Sequence, residues 1–291
     1  MLRVPHLGQV FLVTMCLGLL GAPARGQEAA LKAQQSAEKR RFTLFDPTPR
    51  ELMRELSADR PDTTESPFTV DAGHVQLEFS FAEWRKAGDF EEFAVLPSNI
   101  KLGLAYNADL QLLISPFLHS RSGGQSDQGH GDTQLRLKVN LWGNDGGSGF
   151  FGETALAVMP FVQLPTGADA FSNADDKVEG GVIVPFFIPL PAEIGITVMA
   201  EVDFLRDGGG GYDTFFVHTA SVGRQISGPL AGYLEYVGVQ PIDGDADYEA
   251  SVGAGLIYTL SDDVLLDGGI EAGLNSEADD LRIFLGMTLR L

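Results

Sequence analysis

From Gly73 to the last residue, apolar and polar side chains alternate along the chain. Val75, Leu77, Phe79 and Phe81 interleave with Gln76, Glu78 and Ser80, and Leu135, Leu137, Val139 and Leu141 with Gln134, Arg136, Lys138 and Asn140. Val198, Val202 and Phe204 interleave with Met199, Glu201 and Asp203, and Ile283, Leu285, Met287 and Leu289 with Arg282, Gly286, Thr288 and Arg290. Successive side chains of a β-strand point to opposite faces, so each run has one apolar face and one mostly polar or small face. Runs of about ten residues match a strand tilted across a membrane. Twelve such runs lie near 73–84, 93–106, 110–118, 133–142, 150–164, 178–190, 194–205, 212–226, 230–239, 249–260, 264–274 and 281–291. The pattern predicts an all-β protein: an antiparallel up-and-down transmembrane β-barrel of about twelve strands, residues 73–291, in a bacterial outer membrane. A soluble sandwich also alternates, but does not explain uniform strands that continue to the final residue.

The connections supply an independent test. If the first strand runs outward, the periplasmic turns are 107–109, 143–149, 191–193, 227–229 and 261–263, and all but the second are tight. The outward connections, 85–92, 119–132, 165–177, 206–211, 240–248 and 275–280, are longer and rich in Gly, Asp and Ser. Short periplasmic turns with long external loops are the asymmetry of outer-membrane barrels. Tyr106, Trp142, Phe150 and Tyr258 fall at periplasmic strand ends, and Trp84, Phe93, Phe204 and Phe215 at external ends, where amphipathic rings favour the headgroup level. Pro97, Pro116, Pro160, Pro185 and Pro189 lie in or near strands and mark expected ends, bulges or register breaks.

The segment before Gly73 has a different character. Arg3, the apolar run 10–20 and the small residues of 21–26 predict a signal peptide over residues 1–26. Residues 27–72 form a polar, partly helical N-terminal extension, a periplasmic leader with a short amphipathic turn at 51–56. Removing residues 1–26 takes away Arg3, Arg25 and Cys16, the chain's one cysteine, and no acid; the formal charge of −20 becomes −22. A mature chain without cysteine has no disulfides, and so large an acid excess argues against nucleic acid as a partner.

Asp59-Arg60-Pro61-Asp62-Thr63-Thr64-Glu65-Ser66-Pro67, running into Val70-Asp71-Ala72-Gly73-His74-Val75-Gln76-Leu77-Glu78, resembles the opening of an outer-membrane transporter family named for the MetA pathway of phenol degradation. Gly131-Asp132-Thr133-Gln134-Leu135-Arg136-Leu137-Lys138, Asn140-Leu141-Trp142, Pro160-Phe161-Val162-Gln163-Leu164-Pro165-Thr166-Gly167 and Leu234-Glu235-Tyr236 are similar to the same family. The resemblance covers roughly residues 59 to 291 and implies passage of aromatic compounds; it carries no catalytic set.

Candidate chemistry lies on the polar faces. Charges face lipid only at high cost, so alternation turns them inward. The candidate lumen lining is Gln76 and Glu78; Gln134, Arg136, Lys138 and Asn140; Glu153; Glu201 and Asp203; Glu235; Asp267 and Glu271; Arg282 and Arg290. These form either a selectivity lining for a polar or aromatic solute or a narrow lumen filled by self-paired charge. Residues 59–67 have two readings as well. They enter the barrel as a plug whose Arg60, Asp62 and Glu65 pair with lumen charges, or they tether the leader to the first strand.

Asp169, Asp175 and Asp176 in one loop, and Asp243, Asp245 and Asp247 with Glu249 in another, lack the spacing of a calcium loop and read as solvated acids. The mature chain's histidines, His74, His119, His130 and His218, have no nucleophile placed beside them; His218 and Ser221 share a strand but lie on opposite faces by parity. The expected function is passive passage of small solutes, with no enzyme activity and no metal or organic cofactor. The alternatives are a non-transporting barrel for surface interaction or envelope structure and, behind it, a barrel lipase or acyltransferase. Expected partners are outer-membrane lipid, a small-molecule solute and the barrel-insertion machinery; an even strand count is compatible with a monomer.

Overall fold

The computed structural model describes residues 36–147, 149–173, 176–244 and 246–291. The predicted signal peptide, the leader up to residue 35, Asp175 and Asp245 lie outside the described residues. Among the described residues fifteen strands form one antiparallel sheet, and β1 (Val75–Ala87) pairs with β15 (Leu281–Arg290) to close it. Between them β3 (Ser98–Ala105), β4 (Ala108–Ile114), β7 (Thr133–Trp142), β8 (Ala155–Leu164), β9 (Glu179–Leu190), β10 (Ile194–Arg206), β11 (Tyr212–Ser227), β12 (Leu230–Pro241), β13 (Glu249–Ser261) and β14 (Val264–Gly273) follow each other round the wall. With β1 and β15 they make twelve staves. The other three strands, β2 (Phe90–Val95), β5 (Phe117–Ser122) and β6 (Gln125–Gly129), extend staves upward on the external side.

The prolines explain why fifteen strands make twelve staves. β1 pairs β3 through Phe79 and β2 from Ala82 onward, so β3 and β2 are one stave broken at Leu96-Pro97. β4 and β5 are broken likewise at Ser115-Pro116. Within the wall the ladder between β7 and β8 lapses beside Pro160, and that between β8 and β9 beside Pro185, because proline has no N–H to donate. The segments expected as loops at 85–92 and 119–132 are largely paired hairpin, turning at Gly88 and at Gly123-Gly124, all with positive φ.

Burial in this barrel is inverted relative to a soluble protein. Gln76, Glu78, Ser80, Lys101, Asp109, Gln111, Lys138, Asn140, Asp267 and Thr288 are buried, while Leu141, Leu234, Leu256, Leu285, Ile283 and Phe204 are exposed. Polar inside and apolar outside is the arrangement that lipid imposes on a closed sheet, and the protein is an outer-membrane β-barrel. A bulge between Asn140 and Trp142 turns the indole to the outer wall, where it meets Phe151 and Phe186 edge-on at 5.2 and 6.5 Å in a periplasmic aromatic belt. A second register shift, between Ser80 and Ala82, reverses inward parity on β1, so that Glu83 rather than Ala82 meets Arg282 across the lumen wall.

Candidate functional site

The chain preceding β1 enters the barrel and crosses its interior. Asp59 is the deepest anchor. Its carboxylate lies between the ammonium groups of Lys101 on β3 and Lys138 on β7, with Lys138 Nζ 2.7 Å away. Glu78 on β1 also pairs with Lys101, and both its oxygens accept the Asp59 N–H at 3.2 Å. Gln76 donates to Glu78 at 2.7 Å and to the Ser57 carbonyl at 2.8 Å. Asp109 accepts the Val70 N–H, and Asn140 donates to the Pro67 carbonyl. Buried ions need partners and hydrogen bonds together, and this block has both.

Further along the crossing segment, Arg60 and Glu65 meet charges on other staves, while Asp62 has no described ion pair and faces Ser221 on β11. Arg60 forms a two-pronged pair with Asp267 on β14, at 2.7 and 3.2 Å, and donates to Ser80 at 2.7 Å. Gly286 makes room for it, since a Cβ there would overlap the guanidinium. Glu65 pairs with Arg136, which also donates to Gln134. The N–H groups of Thr63 and Thr64 donate to Glu235 on β12 at 3.0 and 2.6 Å, and the Thr64 hydroxyl adds a third bond at 2.5 Å. Phe68 meets Phe187 edge-on at 5.5 Å, and the Glu65 N–H points at Met199 Sδ, part of an inward apolar cluster with Met159, Phe161 and Ile183.

Below the barrel a second set of charges fixes the leader. Arg54 pairs with Asp71 at 3.0 Å and Asp145 at 2.8 Å, and Lys39 also reaches Asp145 at 2.8 Å. Burial pushes the Asp145 carboxyl up, but the Arg54 charge and the Lys39 hydrogen bond outweigh it and bring it down to about 2. Arg50 and Arg290 share Asp263, and Arg290 donates to the Arg54 carbonyl at 2.7 Å. Tyr106 serves this leader, through Ser36 at 2.7 Å and the guanidinium of Arg54 over its ring.

Solvent cavities lie on both sides of the crossing segment. An external one of about 510 Å³ is lined by Thr63, Glu83, Arg85, Glu92, Val237, Ser251, Glu271 and Arg282, among others. A periplasmic one of about 670 Å³ is lined by Arg60, Asp62, Phe187, Gly195, Thr197, Ser221, Gly223, Tyr233 and Ile257, among others.

The structure thus brings Gln76, Glu78, Arg136, Lys138, Asn140, Glu235 and Asp267 into contact with residues 57–67, and Gln134 against Arg136. Arg282 joins Glu271 at 3.4 Å and Glu83 at 3.2 Å at the external cavity. Glu201 and Asp203 share the inner face of β10 with Met199 and touch none of residues 57–67 by a described hydrogen bond or ion pair. Two placements differ from the sequence expectation. Glu153 keeps inward parity in the sequence, but 150–153 form a short helix, α1 (Phe150–Glu153), in the periplasmic connection, where Glu153 is exposed. Arg290 sits at the periplasmic rim and holds the leader rather than lining the lumen. Lys101, Asp109 and Gln111, all buried inward, were not singled out from sequence, although Ile100, Leu102 and Leu104 flank Lys101 in alternation. His218 is turned to the outer wall and Ser221 is buried inward, so the pair does not meet.

Residues 58–291 match the family described as "Putative MetA-pathway of phenol degradation". The chain belongs to this family. No curated protein sequence matches it. Among solved structures it is similar to an outer-membrane channel from Pseudomonas putida F1, at 12% identity and a TM-score of 0.58, covering 81% of this chain and 100% of that one. It is also similar to the NanC porin, at 7% identity and a TM-score of 0.52, covering 75% and 100%. At these identities the likeness is one of fold.

Proposed function

We propose that this family member is a channel for small solutes, held closed by residues 59–67, which cross a polar-lined lumen between two cavities. The observation that carries the reading is the crossing itself. A barrel stabilised only by its wall needs no chain through its middle, whereas residues 57–67 bond to β1, β3, β7, β12 and β14 and separate solvent above from solvent below. The buried polar wall is the kind that selects by charge and hydrogen bonding. Uncharged aromatic compounds such as phenols are the solutes the family description favours, and Phe187 and Tyr233 on the periplasmic cavity give them an apolar contact.

Single-channel recording in planar bilayers tests this, comparing the mature protein with a form lacking residues 27–72. Resolved current, larger after the deletion, is the expected outcome. Silence in both, with folding verified by heat-modifiable gel migration, removes the channel reading and leaves a non-transporting barrel.

A further inference from the structure

Resting on that channel reading, we infer that the solute path follows the β11–β13 side of the wall, and that the carboxylate of Glu235, clasping Thr63 and Thr64, is its gate.

The two cavities approach each other along one strand. On the inner face of β12, Tyr233 lines the periplasmic cavity and Val237 the external one. Glu235 stands between them and is buried. The same division occurs on neighbouring elements. On β13, Ile257 lines the cavity below and Ser251 the one above, while Gly253 between them has no side chain; in the plug, Asp62 lines the lower cavity and Thr63 the upper. At ~3.4 Å per residue, Tyr233 and Val237 are about 14 Å apart along the strand, which bounds the thickness of the barrier. That barrier consists of the three hydrogen bonds accepted by Glu235 and the bond between the Thr64 and Thr219 hydroxyls at 2.6 Å.

At mid-height the other sectors of the lumen are filled, although a cavity of about 590 Å³ lies beneath the β1–β7 side, reaching Ser57 and Gln76. On the β1–β7 side, Gln76, Glu78, Lys101, Asp109, Lys138 and Asn140 are all buried against residues 57–70. On the β8–β10 side, Met159, Phe161, Ile183 and Met199 pack on each other. The plug therefore has two unequal ends. Asp59 is held by two lysine charges in a dry block, and displacing it strands buried ions. Among the described residues Glu235 pairs with no cation and is held by hydrogen bonds alone. Water can replace such bonds once the Thr63-Thr64 turn lifts, because the two cavities reach its edges. Residues 62–64 swing while Asp59 and Glu65, each held by a cation, stay fixed.

The test uses the full chain. Glu235→Ala leaves two amides unmatched in the closed state, and the expected result is a rise in open probability of about tenfold or more in bilayer recordings, equivalent to ~1.4 kcal/mol. In the same background, Thr64→Cys with Thr219→Cys forms a lock: oxidation returns the current to the wild-type level and reduction restores it. If Glu235→Ala does not fold, as judged by heat-modifiable migration, Glu235→Gln carries the same expectation with a smaller rise. Unchanged current in the Glu235 variant, while the form lacking 27–72 conducts, overturns the gate and leaves the channel standing. An oxidised lock that leaves the raised current untouched also overturns it. Silence in the deleted form overturns both.

Discussion

Asp59 concentrates the energetics of the crossing segment in one side chain. Lys138 has no measurable exposure and Lys101 is 2% exposed, so each depends on a carboxylate within the protein. Lys101 has Glu78 as well, whereas Lys138 pairs with Asp59 alone among the described ion pairs. Removing one partner of a buried pair leaves an uncompensated charge at a cost of about 3–5 kcal/mol, while removing both is far milder. Asp59→Ala is therefore expected to lower stability by about that amount, and Asp59→Ala with Lys138→Met to recover much of it. Urea unfolding of the single and double variants in lipid vesicles checks this; equal losses in both would mean that Asp59 acts through something other than its charge. Gly103 shows the same tightness sterically. A Cβ there would run into the Asp71 backbone, so the chain entering β1 lies directly against β3.

At the level of elements, the leader is a strap whose fixing points are charges in periplasmic turns. Asp145 is the hub, shared by Arg54 and Lys39. Its folded-state value of about 2 lies below the ordinary 3.8, so the stability it contributes is fully present above pH ~4 and is lost as pH falls through 2. Phe45 is 94% exposed and provides a position for a reporter. With Phe45→Cys labelled by a fluorophore, anisotropy is expected to hold from pH 7 to about 4 and to fall between 4 and 2. Adding Asp145→Asn should lower the anisotropy at neutral pH and flatten that acid limb; an unaltered limb would place the acid sensitivity elsewhere.

The staves themselves were legible in the sequence because period-two alternation is a local signal, and all twelve appear near their expected positions. What was not legible depends on single residues that break the period. A bulge at Phe81 hid the inward turn of Glu83, and α1 took Glu153 off the wall. The placement of residues 59–67 depends on contacts remote in sequence, such as that of Arg60 with Asp267, 207 residues away, which no local pattern encodes.

For the whole molecule, charge is distributed with a consequence for what it admits. The external cavity has Glu83, Glu92, Glu249, Glu271, Glu277 and Asp279 against Arg85 and Arg282. Both arginines are already engaged, Arg85 with Glu92 at 2.9 Å and Arg282 with Glu83 and Glu271. The net negative mouth sits on a chain whose formal charge is −20. Low-dielectric walls around like charges focus the field and enrich counter-ions at the mouth. An uncharged phenol meets no electrostatic barrier there, whereas a carboxylate or phenolate meets repulsion and a small cation is drawn in. The open form is thus expected to prefer K⁺ over Cl⁻ by roughly tenfold in dilute salt, the low end of such enrichment. In a KCl gradient the zero-current potential should make the dilute side positive, and the preference should shrink toward 1 M salt as the screening length falls to about 3 Å. Glu249→Gln with Glu277→Gln removes two of the mouth's carboxylates and should reduce the preference without closing the channel. A reversal potential of the opposite sign would mean that cationic groups inside the lumen, rather than the mouth, set the selectivity.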